Sequence, residues 1–230
     1  MKNNNKFRLD VWGAITLGTI ALYALFLLYP MAYLIRQSVL DPDTGGFTLA
    51  YFTKFFSKSY YFDTLINSFK VSITATVLSI AIGTPLAYLF TIFKIKGKSV
   101  LNILIVVASM SAPFIGAYSW ILLLGRSGVI TAFFKNLGIA IPDIYGFGGI
   151  VLVMTLQLFP LVFLYAKGAL KNIDNSLIEA AENLGCSGIV CFFKVVVPLI
   201  MPTLLAAALL VFMRSFADFG TPMLIGEGYR

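Results

Sequence analysis

Apolar residues in this chain come mostly in long unbroken runs, separated by short stretches that hold most of the lysines, glycines and prolines. A helix needs about 20 mostly apolar residues to cross a hydrocarbon core about 30 Å thick. Five runs approach or exceed that length: Val11–Ile35, Val71–Phe93 (with a start as early as Leu65), Val100–Leu124, Gly149–Tyr165 and Leu199–Ile225. The fourth is the shortest and carries Gln157 and Pro160. The pattern predicts an all-α fold, a polytopic transmembrane helical bundle of about five spans.

Composition removes the soluble alternative. The chain has 230 residues, of which 59% are hydrophobic and 12% charged, with a mean hydropathy of +0.91. A soluble domain carries about a quarter charged residues. A chain this short cannot turn so much apolar surface inward, which leaves lipid as its solvent. The net charge of +7 would favour nucleic acid in a soluble protein. Here no basic domain stands outside the apolar runs, so no nucleic-acid partner is expected.

The basic residues instead set orientation, because short cytoplasmic loops are enriched in Lys and Arg. With the N-terminus inside, the cytoplasmic pieces hold Lys2, Lys6, Arg8, Lys94, Lys96, Lys98, Lys167, Lys171 and Lys194, and the outer pieces Arg36, Lys54, Lys58, Lys70, Arg126 and Lys135. The bias is modest, and the tight Lys94–Lys98 turn is its strongest element. The first run is longer than the roughly 7–15 residues of a signal-peptide core, and Val39, Leu40 and Asp41 do not form a small-residue cleavage site. It is read as an uncleaved span in a multi-pass protein of the cell membrane.

Two outer loops carry further pattern. Around Leu49–Tyr61, Tyr51, Phe52, Phe55, Phe56, Tyr60 and Tyr61 interleave with Lys54 and Lys58. Aromatics with lysines suit the headgroup layer, so a short interfacial helix is expected, with a docking surface for an external partner as the alternative. Between Arg126 and Phe147 the stretch Val129–Leu137, ended by Gly138, predicts a surface helix or a re-entrant piece. Trp12 and Trp120 fall near predicted span ends, where Trp favours the interface.

Catalytic chemistry finds no residues to use. Without histidine no Ser-His-Asp or Cys-His arrangement can form, and Cys186 and Cys191 alone make a poor metal site. These two are read as apolar fillers outside any disulfide. The segment Ile92–Ser99 ends in Gly97-Lys98-Ser99 but has Ile92 where a phosphate loop needs its first glycine, so ATP hydrolysis by this chain alone is not expected. Neither a cofactor nor a metal is called for.

The most informative stretch lies between the fourth and fifth runs, residues 167–198. Ser176 and Glu179 have capping-box spacing. Leu177, Ile178, Ala181 and Leu184 give an apolar side at helical spacing, and Gly185 supplies a stop. A second amphipathic stretch, Ser187–Val197, leads to Pro198. The prediction is a short helix, a glycine turn and another short helix beside the membrane.

This segment resembles the EAA loop of type I ABC importer permeases. That pattern is Glu-Ala-Ala, three residues, Gly, nine residues, then Ile-x-Leu-Pro. It stands here as Glu179-Ala180-Ala181, Gly185 and Val195-Val196-Val197-Pro198, with valine in place of both Ile and Leu. Asn67-Ser68 and Gly83-Thr84-Pro85-Leu86-Ala87-Tyr88 resemble the start of the same family's transmembrane domain. The resemblance implies a domain over 64–230 containing a coupling loop at 167–198. Residues 1–63 would then form a cytoplasmic tail, a variable first span and an external loop. It further implies partners: cytoplasmic ABC ATPase subunits, a second permease subunit or half, and an external solute-binding protein. Glu179, Ala180, Ala181, Gly185 and Pro198 would carry ATPase coupling. Glu179 either pairs with a basic residue on the ATPase or caps its own helix.

Arg214 and Asp218 are four apart in the fifth run, on one face if the helix is continuous. Charges at membrane depth face a cavity or each other, so they form either a self-neutralised couple or part of a translocation path. The run Ser215–Gly226 resembles permeases of the ferric-iron group, and also relatives for phosphonates and polyamines, so ferric iron is the expected solute. The resemblance also implies at least one further span after the loop, so the transmembrane domain is expected to be incomplete at its C-terminus. The alternative function is an ATPase-independent secondary transporter or channel. That reading expects internal repeats, and none is visible.

Overall fold

A computed structural model describes residues 11–41, 45–93, 96–110, 112–139, 142–186 and 188–226. The basic N-terminal tail, Lys94 and Ser187, all used in the sequence reading, lie outside the described residues. Among those described there are ten helices, and the chain contacts divide into two units, Met1–Asp63 and Thr64–Arg230.

The first unit is built on α1, Val11–Val39, none of whose apolar window is buried by the chain itself. Its hydroxyls are turned inward to the backbone: Thr16 donates to the Trp12 carbonyl at 2.8 Å and Thr19 to that of Ile15 at 2.9 Å. Pro30 would leave a carbonyl unmatched and clash with it in a regular helix. The chain widens into a π turn over Ala24–Leu28, and the Tyr29 N–H reaches back to the Ala24 carbonyl. A bridge between Leu40 and Phe47 closes the next loop, and α2, Ala50–Ser57, follows. The expected helix within Leu49–Tyr61 is thus present but ends before Lys58. Around that break Phe55 stacks on Tyr61 with centroids 5.3 Å apart, and the Lys58 ammonium sits 5.9 Å from the Tyr61 ring.

The second unit is a bundle around three long helices. α3 spans Ser59–Ile92, starting well before the predicted Val71. α7 spans Phe147–Lys171, and α9, Gly188–Ala217, is the third. Gly83 of α3 meets Val162 of α7 while Val71 and Ala75 share a core cluster with Ile150 and Met154, so α3 and α7 run the same way. Phe192 of α9 stacks on Tyr88, and Phe216 lies 5.0 Å from Phe69, so α9 runs opposite to both. This is the direction pattern of the second, fourth and fifth spans of a serpentine chain.

Close approach of α3 to α7 depends on small residues, since between helices in lipid packing replaces the hydrophobic drive. Ser72, Ala75, Thr76, Ser79, Gly83, Thr84 and Ala87 form one buried stripe of α3. Below the stripe, Phe90 meets Phe163 edge-on at 5.1 Å. Cys191 is buried as filler, and no disulfide joins it to Cys186.

The predicted third and fifth spans are each interrupted. Val100–Leu124 is two helices, α4 (Lys98–Ser109) and α5 (Pro113–Leu124). Pro113 forces Ala112 to an extended ψ of 140°, as proline does to its predecessor. The expected surface stretch is α6, Val129–Asn136, and Gly138 beyond it has φ 75°. The fifth run divides into α9 and a short α10, Gly220–Ile225, with the break at Asp218 and Phe219. The second amphipathic stretch does not form a helix of its own either. It runs on into the fifth span, so Pro198 lies inside α9 rather than at its start. A π turn at Phe192–Val196 accommodates it, with Val197 donating to the Phe192 carbonyl, as before Pro30.

A Cβ on Gly83 would lie 2.8 Å from Val162 Cβ and 2.9 Å from the Phe159 carbonyl oxygen, whereas one on Gly18 of α1 meets nothing. Overpacking of a tight contact costs about 1–3 kcal/mol, which outweighs the gain of up to about 1 kcal/mol from replacing a helical glycine. Gly83→Ala is therefore expected to lower the thermal unfolding midpoint of the detergent-solubilised protein, and Gly18→Ala to leave it level or raised.

Candidate functional site

The interruptions of the third and fifth spans face each other across Gln157. Gln157 lies ten residues into α7, about 15 Å from its start at 1.5 Å per residue, and so in the middle third of that helix. Its side-chain amide donates to the Pro113 carbonyl at 3.3 Å, tying the broken third span to the fourth. Polar side chains at such depth commonly hold helices together.

On the other side, Asp218 ends α9 and turns its carboxylate to the start of α10. Its Oδ1 accepts the Gly220 and Thr221 N–H groups at 2.8 and 3.2 Å, and its Oδ2 accepts the Thr221 hydroxyl at 2.6 Å. A helix start within the bilayer has no water for its free N–H groups, and the carboxylate replaces it. Gly220 is required by packing, since a Cβ there would press on the Phe114 ring of α5 at 3.1 Å. The far end of α10 is held where Gly146 donates to the Ile225 carbonyl at 2.8 Å.

Between these parts lies an open groove of about 810 Å³, lined by Met110, Pro113, Phe114, Gln157, Leu158, Leu161, Arg214, Asp218 and neighbouring residues. Arg214 and Asp218 both border it, but not as a pair on one helix face. The helix stops at Ala217, the Asp218 carboxylate is engaged with α10, and among the described residues the one ion pair is Arg126–Asp143. The self-neutralised couple is therefore corrected: Arg214 is an exposed cation on the groove, and Asp218 is a structural cap.

The second candidate element is the loop between α7 and α9. Its helix α8 covers Asn175–Asn183. The cap is not the Ser176–Glu179 box. The helix opens one residue earlier, and the Asp174 carboxylate accepts the Ser176 N–H at 3.0 Å. That bond holds the Asp174 carboxyl below the usual carboxylate range. A lowered pKa means that the cap is fully in place above the ordinary value and is lost only as pH falls through the lowered one. At the other end Gly185 adopts φ 86° and Cys186 donates to the Ala181 carbonyl at 3.0 Å, a glycine-terminated Schellman stop.

The side chains of α8 divide differently from the expected apolar side. Ile178 packs against the bundle core, joined by Ile173 from just before the helix, and Ala181 is half-buried. Leu177 and Ala180 are exposed, and Leu184 is 89% exposed. Spaced three and four apart, these last three form an outward apolar stripe beside Glu179, which is also exposed. Glu179, Ala180 and Gly185 thus lie on the surface, while Pro198 lies a helix segment away in α9.

Sequence reasoning missed Pro113 as a break, Asp174 as the cap and Gln157 as a tie. Two of these had a local signal: proline inside an apolar run, and Asp immediately before the first helix position.

Described in these terms, the second unit is a polytopic helical membrane bundle with interrupted spans around a mainly apolar groove bordered by Gln157, Arg214 and Asp218, and with an exposed helix–glycine–helix loop at one end. That arrangement matches a bacterial ABC transporter involved in the import of the acidic polysaccharide alginate, with a TM-score of 0.69 at 18% identity, over 94% of this chain and 77% of that one. It also matches a bacterial alginate ABC transporter in complex with an alginate pentasaccharide-bound periplasmic protein, at 0.66 and 18%, over 94% and 76%. At these identities the likeness shows the fold.

The chain belongs to the family of binding-protein-dependent transport system inner membrane components, whose profile matches residues 46–230. It is a multi-pass membrane protein of the ABC importer permease family. Among relatives, it is 28% identical to the ferric transport system permease protein FbpB of Actinobacillus pleuropneumoniae, over 100% of this chain and 33% of that protein. It is equally 28% identical to the spermidine/putrescine transport system permease protein PotB of Haemophilus influenzae, over 97% and 79%. The chain spans about a third of the length of the ferric relative.

Asp218→Ala removes three hydrogen-bond acceptances at a helix start, and loss of a capping side chain costs up to about 2 kcal/mol. The unfolding midpoint in detergent should fall clearly for Asp218→Ala and much less for Asp218→Asn, which keeps the Oδ1 acceptor. Equal losses in the two variants would assign the role to charge instead of capping.

Proposed function

We propose that this chain is a permease subunit of an ATP-driven importer, in which the loop at 167–198 couples to a separate cytoplasmic ATPase and the groove at Gln157 lies on the translocation path. The observation that carries the coupling reading is the outward stripe of Leu177, Ala180 and Leu184 beside Glu179. An apolar row on a helix whose opposite side already seats on the bundle is suited to a partner groove. In this reading Ala180 and Ala181 permit close approach, Glu179 meets a basic group, and Gly185 sets the turn. Pro198 acts indirectly, through the π turn it imposes on α9.

Domain roles follow. Residues 64–230 form the transmembrane domain, preceded by a tail, a span and an external loop in residues 1–63. Lys98, Lys167 and Lys171 cluster at one end of the bundle, and the positive-inside rule places that end, with the N-terminus, in the cytoplasm of a cell whose plasma membrane holds the protein. A second permease subunit or half completes the path, and an external binding protein delivers the solute. ATP hydrolysis belongs to the separate subunit. In the groove, Arg214 and Asp218 flank the path, the first as an open charge and the second by holding the break that shapes it.

Ferric iron is the first solute reading, supported by the relative named for ferric transport. The equal identity to a spermidine/putrescine permease supports a polyamine as the second. Uptake of radiolabelled ferric iron and of spermidine, in vesicles carrying the chain with the ATPase and binding protein encoded beside it, separates them. ATP-independent flux would instead support a secondary transporter or channel.

Gly185→Asp places a charged L-residue at φ 86° in the turn, and Leu184→Asp puts a charge on the outward stripe while disturbing no packing. Both are expected to abolish ATP-driven uptake and to reduce ATPase co-purification at unchanged membrane insertion. Unchanged uptake and association in both variants would overturn the coupling role.

A further inference from the structure

The lysine-rich end holds a feature that neither the groove nor the outward stripe of α8 explains. Lys98 and Ser99 at the start of α4, Asn102 one turn on, and Lys167 and Lys171 at the end of α7 line a pocket of about 390 Å³, with Thr91 at its edge. No acidic side chain lines it among the described residues. Three ammonium groups around one cavity repel one another, and the local field worsens the repulsion. Lys98 occupies the first turn of α4, the positive end of that helix's dipole, where a cation is disfavoured. Gly97 before it supplies no side chain to the free first-turn N–H groups. Only Lys171, at the C-terminal end of α7, has an ordinary dipole partner.

The pocket is also prearranged. The Lys167 ammonium donates to the Asn102 side-chain oxygen and lies 5.5 Å from the Phe163 ring centroid, which fixes its long side chain. Asn102 keeps its NH₂ group, and Ser99 its hydroxyl, as donors. Next in sequence to the pocket residues Thr91 and Ser99, Ile92, Phe93, Val100 and Leu101 are exposed apolar residues. A ligand that satisfies the whole patch has an anionic, multiply accepting head and an apolar body.

We infer that this pocket binds the phosphate headgroup of an anionic phospholipid, with its acyl chains lying along Ile92, Phe93, Val100 and Leu101. Basic pockets between helices at a membrane surface take such headgroups, and an oxyanion there offsets the lysine repulsion and fills the open donors of α4.

The test is native mass spectrometry of the full chain released from nanodiscs containing phosphatidylglycerol and phosphatidylcholine in equal amounts. The wild-type protein should retain phosphatidylglycerol selectively. At about 1 kcal/mol per lysine near the surface, Lys98→Gln should weaken that retention about fivefold and the Lys98→Gln, Lys167→Gln, Lys171→Gln variant about a hundredfold. Lys54→Gln and Lys135→Gln should leave it unchanged. Because the Lys98 side chain makes no hydrogen bond among the described residues, its single variant keeps the test sound where the triple change fails to insert. Equal retention in Lys98→Gln and wild type would overturn the site, as would equal retention of the two lipids by the wild type. Full displacement of phosphatidylglycerol by inorganic phosphate at millimolar concentration would assign the pocket to free phosphate and overturn the lipid reading.

Discussion

Every backbone N–H and C=O that lies in hydrocarbon must find a partner within the protein, and this chain's spans are repeatedly interrupted. Its structure is largely the set of solutions to that one constraint. Pro30 and Pro198 are absorbed by π turns in which the preceding residue reaches back five positions. Pro113 ends a helix outright, and Gln157 ties the exposed turn to its neighbour. The break at Asp218 is closed by a carboxylate that takes two N–H groups and a hydroxyl. Where side chains rather than a widened turn supply the partner, polar groups must be brought to membrane depth, and there the groove appears. The polar side chains that close these breaks, Gln157 and Asp218, are also ones that border the groove.

Such interruptions need a stable frame. α3 and α7 supply it through the small-residue stripe from Ser72 to Ala87, which brings the two backbones close enough for a single methyl at Gly83 to be excluded. α9 crosses antiparallel to both and fills the remaining side with Phe192, Val196, Ile200, Leu204 and Val211. α4, α5 and α10 are shorter and pack on this frame. The parts that border the groove are therefore largely the parts not built into the frame.

The existence and number of spans were legible in the sequence because an apolar run of helical length has few other uses. The first span, a short helix at Val129–Asn136 and the glycine stop at Gly185 all follow from local signals and are present. Interruptions were harder to read, because hydropathy averages across a break: Met110–Pro113 and Asp218–Phe219 are as apolar as what surrounds them apart from one residue each. Helical spacing then misled twice. It put Arg214 and Asp218 on a shared face, which a helix ending at Ala217 does not have. It also joined Leu177, Ile178, Ala181 and Leu184 into one apolar side, of which Ile178 seats on the core and Ala181 is half-buried while Leu177 and Leu184 are exposed. Periodicity shows which residues share a face but not which part of that face the tertiary structure covers.

The continuity of α9 bears on how the two candidate elements are related. An independent second helix in the loop, as the sequence suggested, would have left a hinge at Pro198 between loop and span. Instead one helix of about 45 Å, at 1.5 Å per residue, starts three residues after Gly185 and ends at the Asp218 break. α8 is fastened to the near part of this rod and to the core by Ile178 and Ile173. Between the loop and the groove α9 contains the π turn at Phe192–Val196, followed by Pro198 and Pro202 inside the helix. That turn is held between Tyr88 and the core by the buried Phe192 and Val196. Regular helical hydrogen bonding ends at the Asp218 break, where α9, α10 and Gln157 border the groove.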